Sequence, residues 1–66
     1  MIYIMVNLCR DNGMNRESAY NTWFNSKTRN YIINNNLYWV SGMRCYWELC
    51  LELGNSDDWL KEPFDI

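Results

Sequence analysis

Histidine is missing from this chain altogether, and 66 residues contain only one proline, three glycines and three cysteines. Each scarcity removes an explanation. Without His the commonest general base is gone, and Ser18, Ser26, Ser41 and Ser56 fall at turns or on a polar helix face, where capping and solvation account for them. Gly13, Gly42 and Gly54 cannot write either phosphate-binding fingerprint. Cys9, Cys45 and Cys50 are odd in number and lack a disulfide-rich spacing. Neither a secretory leader nor an Asn-x-Ser/Thr acceptor accompanies them, so a reducing cytoplasm is expected. Zinc usually takes four N or S ligands, and Cys45 and Cys50, five apart, share a face on neither a helix nor a strand; no metal is expected. No apolar run is long enough to span a bilayer.

The carboxylates give no better site. Glu48 and Glu52 would share a helix face and, with Asp57 or Asp58, approach a divalent cation, but hard cations take more oxygens from a defined loop. Pairing of Arg44 with Glu48 at i, i+4 explains the spacing by itself. The expectation is therefore a protein that is not an enzyme and carries no cofactor.

What is abundant is aromatic surface. Four Trp, five Tyr and two Phe are a large apolar load for one domain spanning residues 1–66, too short to hide all of them. The surplus predicts an exposed patch, and such patches mark binding surfaces. Charge is segregated as well. Residues 1–44 set Arg10, Arg16, Lys27, Arg29 and Arg44 against Asp11 and Glu17, a balance of +3, whereas residues 45–66 set Lys61 against six carboxylates, a balance of −5. Ten Asn beside one Ala, and no Gln, is the usage of an AT-rich coding sequence, common in bacteriophages. It suggests an inhibitor or adaptor of a host or bacterial-defence enzyme, working in the host cytoplasm.

Periodicity predicts an α+β domain: one long amphipathic helix packed with a few short strands and a second helix, with an all-α bundle as the alternative. Ile2, Ile4, Val6 and Leu8 alternate with Tyr3, Met5 and Asn7 and read as a strand, although a helix with Ile2, Met5, Val6 and Cys9 on one face competes. Asn15 caps a helix from about Arg16 to about Ile32, with Tyr20, Trp23, Phe24 and Tyr31 turned to the core, and Asn34, Asn35 and Asn36 end it. Leu37 to Val40 reads as a second strand, closed by Ser41 and Gly42. Residues 43–53 fit a helix better than a strand, with Arg44, Glu48 and Glu52 as its polar stripe and Gly54 as its C-terminal cap. Ser56 starts a short final turn that Pro63 ends.

Two binding surfaces follow. The preferred one takes a protein partner: Tyr38, Trp39, Trp47 and Trp59 are the anchors and Glu48, Glu52, Asp57 and Asp58 the polar rim, with a homodimer as one form of it. The alternative takes nucleic acid along a helix face that carries Arg16, Tyr20, Trp23 and Lys27, with Arg29 and Arg44 as further cations. Few phosphate contacts are available to it, which ranks it second. No membrane contact is expected.

Overall fold

The computed structural model describes residues 2–60, and within them the α+β expectation is wrong. Four helices form, α1 Ile2–Asn12, α2 Arg16–Phe24, α3 Lys27–Asn34 and α4 Gly42–Leu53, and no strand is present among the described residues. The all-α alternative is the architecture.

The first strand fails because nothing is there to pair with it. A strand needs a neighbour for every second N–H and C=O, whereas a helix satisfies them within itself. The other expected strand, Leu37 to Val40, is a turn in which Val40 N–H donates to Leu37 O at 3.2 Å. The β-branched run therefore winds into α1 and buries Ile4, Asn7 and Leu8, at spacing i, i+3, i+4. Asn7 is tolerated inside because its Nδ2 donates to Tyr3 O at 2.7 Å while its Oδ1 accepts from Arg10 Nη2 at 2.7 Å.

The long helix expected over residues 16–32 is two helices. Asn15 caps the first, its side chain accepting from Ser18 N–H at 2.8 Å. The chain then breaks at Asn25 and Ser26. Buried Ser26 donates its hydroxyl to Trp23 O at 2.7 Å and accepts from Arg29 N–H at 3.1 Å, closing α2 and capping α3 with one side chain. The kink redistributes the aromatic stripe. Trp23 is buried and Tyr31 half-buried against the core, but Tyr20 and Phe24 are exposed and stack on each other at 5.5 Å.

Helix ends are settled by asparagine. Asn36 takes the left-handed conformation after α3 and Asn55 does so after α4, with φ of 56° and 54°. Each is followed by a bond that reaches back over the last turn, Leu37 N–H to Ile32 O and Ser56 N–H to Leu51 O, both 2.9 Å. Gly54 is the capping residue of α4, as expected, although the left-handed position falls one residue later. The core is small: Ile4 and Leu8, Ala19 and Trp23, Ile32, Cys45 and Leu49. The final turn through Glu62 to Pro63 lies partly outside the described residues.

Candidate protein-interaction surface

Helix α4 buries Cys45 and Leu49, but its expected polar stripe lies on that same inner side rather than in solvent. The stripe of Arg44, Glu48 and Glu52 points into the molecule, and the solvent side carries Met43, Trp47 and Cys50 at i, i+4, i+7. Glu48 is 1% exposed. Its Oε2 accepts from Arg44 Nε at 3.0 Å and Nη2 at 2.9 Å, and its Oε1 accepts from Leu60 N–H at 2.9 Å. That last bond holds Leu60 at φ 55°, which a branched side chain adopts only under constraint. Glu52 sits at the N-terminus of α3, where helix N–H groups are free and negative charge is favoured. It accepts from Lys27 N–H and Thr28 N–H, each at 2.8 Å, and from the Thr28 hydroxyl at 2.7 Å. Thr28 Oγ1 in turn accepts from Trp59 Nε1–H at 2.8 Å. No buried side-chain N or O among the described residues is left without a partner.

Of the residues expected to meet a protein, Glu48, Glu52 and Trp59 are thus employed inside the chain. Asp57 and Asp58 are exposed on the turn that carries Trp59. Tyr38, Trp39 and Trp47 do lie open, at 71%, 53% and 50% exposure. Trp47 is the best defined of them. The Arg44 guanidinium lies 5.4 Å from the centre of its ring, and the two border a shallow depression of about 350 Å³ with Ser41 and Met43.

Residues that the sequence did not single out extend this surface. Ile2, Tyr3 and Val6 are exposed on α1. Tyr3 joins them to α4: it lies against Gly42, where an added Cβ would fall 3.3 Å from its own, and meets Tyr46 edge to face at 6.4 Å. The Tyr46 hydroxyl accepts from Asn12 Nδ2 at 3.3 Å and lies 3.2 Å from Asp11 Oδ2. Burial, and then hydrogen bonding to Cys50, pushes the Tyr46 phenol up to about 12. Burial also raises the Cys45 thiol, so that residue serves packing rather than reactivity. The competing helix reading of residues 2–9 groups Ile2 and Val6 on one face, but α1 buries Ile4, Asn7 and Leu8 instead and leaves those two in solvent.

The nucleic-acid set is not brought into one line. Trp23 is in the core, Arg29 lies 4.2 Å over the exposed Phe24 ring, Lys27 opens α3 with its backbone on Glu52, and Arg44 is held by Glu48. Tyr20 stacks on Phe24, and Arg16 borders a separate depression between Arg10 and the apolar Met5, Val6 and Cys9. Among the described residues no cluster of His, Cys, Asp or Glu is placed to hold a metal, and no helix is long and apolar enough to cross a membrane. No protein-family model, no curated protein and no solved structure matches this chain.

Proposed function

We propose that this protein is a small protein-binding module whose contact surface is the outer face of α4, with Met43 and Trp47, continued by Tyr38 and Trp39 on the segment before it. The observation that carries this reading is the apolar outer face of α4: Cys45, Leu49 and two satisfied glutamates fill the inside while Trp47 and Met43, 50% and 68% exposed, face water. Exposing apolar side chains forgoes roughly 1.5–3 kcal/mol for each one that a partner would bury. A nucleic-acid surface would instead present cations free for phosphate, and Arg44 beside Trp47 already has a carboxylate.

A photo-crosslinking amino acid placed at Trp39 or Met43, with exposed Asn30 as the control position, tests the reading in producing cells. Adducts containing a second polypeptide are expected from the first two positions and not from the third. Nuclease-sensitive adducts, or none, would refute it.

A further inference from the structure

We infer that the partner of the α1–α4 face is a second copy of this chain, packed about a two-fold axis near Trp47. This deepens the protein-binding reading and rests on it. Three observations favour a second copy.

The first is the imbalance between core and surface. Seven apolar residues are buried among the described residues, while ten large ones are exposed. A chain of this size is only marginally stable alone, and a disulfide, a metal or association adds to that margin. The cysteines are free and no metal cluster is present among the described residues, which leaves association.

The second is area. Ile2, Tyr3, Val6, Met43 and Trp47 are 80%, 44%, 51%, 68% and 50% exposed and are joined across the Tyr3–Gly42 contact. With whole side-chain surfaces of roughly 150–250 Å² for the largest of them, they offer on the order of 600 Å². A standard interface takes about 800 Å² from each partner, with the low end near 600 Å². Half-buried Tyr46 and exposed Cys50 border the same face and supply part of the difference.

The third is charge. A face that meets its own copy must not present an uncompensated charge of one sign. Of the cations that border this face, Arg44 is paired with Glu48 at 2.9 Å and Arg10 with Asp11 at 3.3 Å, and Arg16 adds a charge beside Val6 at its α2 edge. In a two-fold contact each residue meets its counterpart reciprocally. Two antiparallel α4 helices crossing between Tyr46 and Trp47 would set Met43 of one copy against Cys50 of the other.

Sedimentation velocity across a dilution series, with Trp47→Glu and Val6→Glu, provides the test. Cys50 supplies a mutation-free readout, since it is exposed while Cys45 is buried and Cys9 half-buried. The wild type should form a dimer that dissociates on dilution, with alkylation of Cys50 slowing as the dimer forms. Trp47→Glu should weaken association about 100-fold or more with helical content unchanged. Should Trp47→Glu lose its helical signal, Val6→Glu and Cys50 protection in the wild type decide. A wild type that stays monomeric with concentration-independent alkylation overturns the inference, as does a dimer untouched by either charge. If crosslinks from Met43 to another protein persist in that case, the protein-binding reading stands and only the identity of the partner falls.

Discussion

On its inner face α4 carries two carboxylates and on its outer face a tryptophan and a methionine, and the two faces differ in whether the chain supplies their partners. Inside, Glu48 has Arg44 and the Leu60 amide, and Glu52 has the open end of α3. Outside, Trp47 has the Arg44 guanidinium 5.4 Å from its ring centre and half of its surface in water. Polarity alone therefore does not say which side of a helix is the inside. A charged group can be interior when the fold delivers enough donors, and an apolar one can be exterior when its partner is another molecule. A buried ion pair is weak evidence for net stability, because desolvation offsets much of the attraction. Here the carboxylates fix geometry: Glu48 holds the 57–60 turn against α4, and Glu52 registers α3 on it.

The sharpest way to break the contrast is to remove an inner partner. Glu48→Ala leaves Arg44 without its carboxylate and the Leu60 N–H without an acceptor, and should cost about 3 kcal/mol or more in urea unfolding. That is a large share of the 5–15 kcal/mol typical of a domain. Glu48→Gln, which keeps an acceptor, should cost less; equal losses from the two would mean that the acceptor contributes nothing. On the outer face Trp47→Glu should cost the dilute monomer less than Glu48→Ala does, since half of the indole already lies in water.

A smaller effect comes from the hydroxyl that links Trp59 to Glu52. Thr28→Val keeps the shape but strands the indole N–H, and should cost about 1–3 kcal/mol while changing Trp59 emission. An unchanged melting curve would place Trp59 in solvent rather than on Thr28.

Least in size is the response of Tyr46, at the seam between the two faces. Its folded pKa is raised, to about 12, so the folded state holds the phenolic proton more tightly than the unfolded chain does. The resulting stability is fully present below the unfolded value of about 10 and is lost as pH rises from there through 12. Partial solvent access to the ring keeps the amplitude modest. Tyr46→Phe should remove this alkaline component of a pH–stability curve, and an unaltered slope above pH 10 would argue against a desolvated phenol.

Much of the local structure was legible. Asn15 as a cap, the Asn34–Asn36 stop, the helix over 43–53 and its end at Gly54 all follow from chemistry within a few residues of each site. The break at Ser26 was not: its own caps are local, to Trp23 O and Arg29 N–H, but the carboxylate that takes the next two amides, Glu52, comes from another helix. A helix restarting at Lys27 would ordinarily show a Glu or Gln in its first turn, and here Glu52 of α4 takes that place. The strand assigned to residues 2–8 was reasonable on alternation, and failed because Leu37–Val40 cannot pair with it. Among the expected contact residues, Tyr38, Trp39 and Trp47 are open, whereas Glu48, Glu52 and Trp59 are engaged with one another's supports.

By itself, then, the sequence determined that this chain carries too much aromatic surface for its length, lacks His and a disulfide framework, and caps its helices with Asn and Ser. Those are properties of composition and of neighbours within one helical turn. Only the tertiary structure decided which side of α4 faces water, since that depends on where α3 and the 57–60 turn present their amide hydrogens. Hydrogen-bond donors aimed at a carboxylate outweigh the general preference of charge for solvent. Once Glu48 and Glu52 are drawn inward by them, Met43 and Trp47 have nowhere to point but out.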